Sequence, residues 1–71
     1  PIVQIGSVVE IELSGKFNKY LISDPLTTDP AAGIISYKCP LGSALLNKCT
    51  GEMFEYSVEN RIFKGKILNL Y

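Results

Sequence analysis

The sequence predicts an α+β domain of about five strands and one short helix, with an antiparallel or mixed sheet. Three observations lead there. Apolar and polar residues alternate in SVVEIEL, Ser7 to Leu13, and in EMFEYSVE, Glu52 to Glu59, which is the period of a half-buried strand. A turn signal follows each stretch: Ser14-Gly15 and Glu59-Asn60. After Pro40 the apolar spacing changes, with Leu41, Ala44 and Leu45 on one helical face. The chain has 71 residues, which gives room for one domain and not two.

The elements follow in order. In the first strand Val9, Ile11 and Leu13 face one side and Glu10 and Glu12 the other. KFNKYLIS, rich in aromatic and β-branched residues, is a second strand forming an antiparallel hairpin with the first. DPLTTDPAAG, Asp24 to Gly33, is a loop, because Asp-Pro pairs start turns and Gly33 can take a positive φ. IISYK is a short third strand. Pro40 suits the first helical position, where a missing N–H costs nothing, and Asn47 can end the helix in the left-handed conformation. This gives a helix of about two turns with its leucines turned inward. The fourth strand sets Phe54, Tyr56 and Val58 against Glu55, Ser57 and Glu59. RIFKGKILNLY is the last strand, with Gly65 as a bulge or a point of close approach.

Composition excludes several functions. Lys plus Arg and Asp plus Glu each number 7, so there is no basic footprint for nucleic acid or an anionic membrane. No apolar run reaches the length of a membrane span, and no basic stretch leads into an apolar one as in a signal peptide. Histidine is absent, which removes the commonest general base and zinc ligand. Cys39 and Cys49 flank the helix, whose ends lie ~10 Å apart, beyond the ~7 Å that a disulfide spans. They lack metal-ligand spacing and are expected to be small, partly buried free thiols in a reducing compartment. Neither phosphate-binding glycine motif occurs. Glu10, Glu12, Glu55 and Glu59 are expected on solvated faces. Phe17, Tyr20, Tyr37, Phe54, Tyr56, Phe63 and Tyr71 are read as core residues, since base stacking would call for a basic surface. No catalytic residue, metal or cofactor is expected, and a small domain of this kind usually binds another protein. The chain opens on Pro1 and not methionine; it is either a piece of something longer or a chain that has lost its initiator.

The order of the pieces carries a resemblance. Ile5-Gly6-Ser7 opens the chain, and Asp29-Pro30 and Gly33 precede the strand at Ile35-Ser36. Pro40-Leu41-Gly42-Ser43-Ala44-Leu45-Leu46, then Lys48 and Gly51-Glu52, complete the central run. Across the whole chain this resembles the C-terminal domain of the GreA/GreB transcription elongation and transcript-cleavage factors. Cys39 stands at the family's usual serine, Asn47 at its usual glycine, and Tyr37-Lys38 where acidic or polar residues are frequent. A thiol accepts hydrogen bonds poorly, so a weaker helix cap is expected.

The resemblance implies one domain over residues 1–71 with a fold of the FK506-binding-protein type: a curved antiparallel sheet with one helix packed on it. It implies a cytoplasmic protein whose partner is bacterial RNA polymerase, docked at the rim of the secondary channel, with no direct contact to nucleic acid. The family's coiled coil is absent from this sequence, so no stimulation of cleavage is expected from it. Lys38, Cys39, Pro40, Leu41 and Ser43 are the expected docking surface. A Rnk-like regulator, which pairs the same domain with a shorter coiled coil, is the alternative. A prolyl isomerase is suggested by fold alone and lacks the tryptophan floor such enzymes usually have.

Overall fold

The computed structural model describes residues 1–71. The strands are β1 (Val8–Leu13), β2 (Lys16–Ser23), β3 (Ile34–Ser36), β4 (Met53–Val58) and β5 (Arg61–Leu70), and the helix is α1 (Pro40–Leu45). They form one sheet in the order β3-β2-β1-β5-β4. All pairs are antiparallel except β2 with β3, so the sheet is mixed. The reversal comes from the loop between β2 and β3. It folds back through one 3-10 turn, Pro30–Ala32, and Gly33 at φ 82° lets the chain re-enter the sheet beside β2.

Both tight hairpins have positive φ at their two central residues: Ser14 at 52° and Gly15 at 81°, Glu59 at 50° and Asn60 at 66°. That is the backbone of a type I′ turn, whose twist matches that of the flanking strands. The bulge falls at Leu68, not at Gly65, because Glu10 pairs with Asn69 while Ile11 pairs with Ile67. Gly65 is the close-approach point. A Cβ there would sit 2.5 Å from both the Glu12 carbonyl oxygen and the Phe54 ring.

α1 packs against β4 and β3, the two edge strands of the sheet. One short helix reaches both edges only because the twisted sheet curls around it. Every element supplies the core: Val9 and Ile11 from β1, Ile22 from β2, Ile35 from β3, Leu45 from α1, Phe54 from β4 and Ile67 from β5. Val3 joins them from the N-terminal segment, which the periodicity did not single out. It is held there by Val3 N–H to the Lys48 carbonyl and Asn47 N–H to the Val3 carbonyl, both at 2.8 Å. Full burial of one such aliphatic side chain stabilises by about 1.5–3 kcal/mol.

The expectation that the aromatics are core residues is corrected. Of the seven, Phe54 alone is buried, while Phe17 is 69% and Tyr71 65% exposed. Register explains it. Val9 pairs with Tyr20, so Tyr20 and Ile22 share the inner face and Phe17 falls on the outer one, opposite Glu12. Tyr20, Tyr37 and Tyr56 are half-buried at the margin of the core, and Phe63 stacks on Tyr56 with ring centres 5.1 Å apart.

Candidate functional site

The site is built where β3 runs into α1. Tyr37 N–H donates to the Ser23 carbonyl at 3.0 Å, fixing this junction to the end of β2. Ser36 turns the chain: its Oγ accepts from Lys38 N–H at 2.9 Å and its carbonyl from Cys39 N–H at 3.2 Å. Cys39 is extended, with φ −73° and ψ 159°, and its Sγ accepts from Gly42 N–H at 3.2 Å. The thiol therefore does occupy the capping position, with a weaker acceptor than a serine hydroxyl. Pro40 takes the first helical position. Gly42 is buried with its Cα against the Ser36 carbonyl, and any Cβ would run into that oxygen. Helix and strand can meet this closely only because residue 42 is glycine.

The five expected docking residues divide by exposure. Lys38, Pro40 and Ser43 are exposed, whereas Cys39 and Leu41 are half-buried and pack against the core. Lys38 holds its ammonium 5.9 Å from the Tyr37 ring centre, within range of a weak cation–π attraction. The outcome is a small ridge of one cation, one proline and one hydroxyl, supported from beneath by Cys39 and Leu41. Leu45 is fully buried and Ala44 half-buried. Asn47 is left-handed at φ 68°, but it does not end the helix as expected: α1 stops at Leu45, its cap Leu46 is extended at ψ 136°, and Asn47 shapes the turn that follows, in which Lys48 N–H donates to the Leu45 carbonyl at 3.1 Å.

Sequence reasoning missed what surrounds the ridge. The turn after β2 presents Leu26, 94% exposed, at the same end of the sheet. Asp24 Oδ1 accepts from Leu26 N–H at 2.8 Å and fixes that turn. Ile5 is also exposed, next to Gly6, whose N–H donates to the Ile22 carbonyl at 2.7 Å. On the other side of α1 lies an open groove of about 430 Å³ between the helix and β4, with Ser43 on its rim. No periodicity marks these features, because each depends on which strand ends meet.

Several other polar side chains are tied into the fold. Cys39 and Cys49 are both free thiols. Cys49 Sγ donates to Glu52 Oε1 at 2.8 Å, and this hydrogen bond is the main reason its thiol is pushed above the ordinary cysteine range. A thiol held protonated in this way is a poor nucleophile. On the outer face Glu10 accepts from Asn69 Nδ2 at 2.8 Å and from Tyr71 Oη at 3.0 Å, while Lys19 lies 4.7 Å from the Tyr71 ring centre. These contacts join the end of β5 to β1 and β2. No helix is long and apolar enough to cross a membrane.

The sequence model described as transcription elongation factor, GreA/GreB, C-term matches residues 1–71. Transcription elongation factor GreA of Thermomicrobium roseum is 33% identical over 69 residues, which covers 97% of this chain and 44% of that protein. GreA of Treponema pallidum is 43% identical over 58 residues, covering 79% of this chain and 36% of that one. The chain thus spans less than half the length of these relatives. Among solved structures, the transcription factor Gfh1 superposes with a TM-score of 0.86 at 24% identity, covering 100% of this chain and 48% of that one. The GreA/GreB factor from Nitrosomonas europaea gives 0.77 at 22% identity, covering 97% of this chain and 59% of that one. At such identities the structural likeness speaks to the fold.

Proposed function

Because this chain belongs to the family of GreA/GreB transcription elongation factor C-terminal domains, we propose that it is a protein-docking module for bacterial RNA polymerase at the rim of the secondary channel. It works as one domain over residues 1–71, in the cytoplasm, without contacting nucleic acid itself. Docking, not catalysis, is its task, and on its own it does not stimulate transcript cleavage. The observation that carries this reading is the ridge of Lys38, Pro40 and Ser43, exposed on a junction whose backbone is fixed by Ser36, Cys39 and Gly42. A rigid surface loses little conformational entropy on binding, so a small contact can still be selective. Leu26 and Ile5 add exposed apolar area at the same end.

The test is equilibrium binding of the chain to bacterial core RNA polymerase. Binding at tens of micromolar or tighter is expected, roughly −6 kcal/mol. A Lys38→Glu, Ser43→Arg double variant changes only exposed positions and should keep its circular dichroism while binding about tenfold or more weakly. Leu41→Ala is a poor probe, because Leu41 packs on the core and its loss would confound stability with binding. Equal binding by the folded double variant would remove the ridge from the interface.

A further inference from the structure

β4 pairs with β5 on one side only. Its hairpin closes at Val58 and Arg61 over a two-residue turn, so Val58, Tyr56 and Phe54 are the residues that exchange hydrogen bonds with β5. Ile67 N–H to the Glu52 carbonyl at 2.9 Å continues the same alternation. The N–H and C=O groups of Met53, Glu55 and Ser57 therefore point to the free side, where no other strand lies. Edge strands are commonly blunted by lysine, proline or a bulge. β4 reads MFEYSV, with no lysine or proline, its one charge, Glu55, beside Lys64, and its register with β5 unbroken.

α1 packs beside β4, and the groove between them has Ala44 on the helix side and Met53, Phe54 and Glu55 on the strand side. Ser43, Lys48 and Lys64 complete the lining, so two cations face one carboxylate. The Glu55–Lys64 pair is loose, at 3.8 Å between side chains more than half exposed, and Lys48 has no ion-pair partner. A strand edge beside a helix, with apolar floor and free backbone groups, is the arrangement that takes an extended peptide by strand addition. The charge of the lining selects for acidic side chains.

We propose that this groove binds an extended, acidic segment of a partner protein, which adds to β4 as a further strand. Its backbone bonds to Met53, Glu55 and Ser57, its apolar side chains on the helix side rest on Ala44 and Phe54, and its carboxylates on the other face reach Lys64 beside Met53, with Lys48 as the groove's second cation. The proposal is independent of the polymerase reading.

The probe is a short end-blocked peptide of alternating glutamate and valine, with a lysine–valine peptide as its counterpart, each added to the isotopically labelled chain. The glutamate peptide should slow amide exchange at Met53, Glu55 and Ser57, and the lysine peptide should not. A Lys48→Glu, Lys64→Glu variant should bind the glutamate peptide about tenfold or more weakly. Glu55→Pro removes an outward N–H without touching the β5 ladder and should abolish binding. If that variant does not fold, the charge reversal alone decides. Unchanged exchange along β4, equal response to both peptides, or binding indifferent to the charge reversal would each overturn the proposal.

Discussion

Gly42 and Gly65 show what single residues decide here. Both sit where backbone or ring atoms leave no space for a Cβ. Gly65→Ala should cost about 1–3 kcal/mol, as the Phe54 ring and the Glu12 carbonyl are both forced aside. Gly42→Ala should cost more, because its Cβ would run deeper into backbone, against the Ser36 carbonyl and Tyr37 Cα, with no side chain able to give way. Urea unfolding of the two variants measures both. At the helix cap, Cys39→Ser should be more stable than Cys39→Ala by about 1 kcal/mol, with the native cysteine between them. Close approach at Gly65 was legible from a lone glycine in a strand pattern. Gly42 was not, since nothing in a helical run announces which strand end it will touch. Glu10 gives a pH test. The hydrogen bond from Asn69, then that from Tyr71, holds its carboxyl below the ordinary glutamate range, with the Lys19 charge adding to this. A lowered folded pKa means that its contribution is full above the ordinary glutamate value and is lost as pH falls through the lowered one. Glu10→Gln should therefore flatten the acid limb of thermal stability below the ordinary glutamate range, while leaving the shape of the neutral-pH profile unchanged.

At the scale of elements, the hairpins were the most legible parts, because alternation and turn residues agree. β1 buries Val9 and Ile11 as its period requires, and both turns adopt positive φ at both central positions. Neither turn is optimal, since Ser14 and Glu59 are non-glycine residues in the left-handed region. Ser14→Asn and Glu59→Asn should each stabilise by about 0.5–1 kcal/mol, since asparagine tolerates that conformation better, and thermal denaturation would show it. The direction of β3 was not legible. Its three residues read as a strand whichever way they run, and the parallel pairing follows from how the loop ending at Gly33 folds back. Phe17 and Tyr71 were misread for a related reason. Aromatic character suggests a core, but register assigns the face, and both fall outside it.

For the whole molecule, eight buried side chains, from the five strands, the helix and the N-terminal segment, hold the sheet around one six-residue helix. That helix carries the exposed ridge at its start and borders a groove along its side, so its placement governs both surfaces. The ridge was partly legible, since the segment around Pro40 stood out in the sequence, yet only Lys38, Pro40 and Ser43 of the five expected residues are exposed. The groove was not, because it exists only once β4 lies beside α1. The proposed docking makes the ridge the surface that bacterial RNA polymerase meets. The most direct measurement is a titration of the isotopically labelled chain with unlabelled core polymerase, following the backbone amide signals. Docking on the ridge predicts selective broadening at Lys38, Cys39, Leu41 and Ser43, extending to Leu26, with the outer-face amides of Glu10 and Phe17 affected least. Spectra that stay unchanged at saturating polymerase, or broadening confined to that outer face, would contradict it.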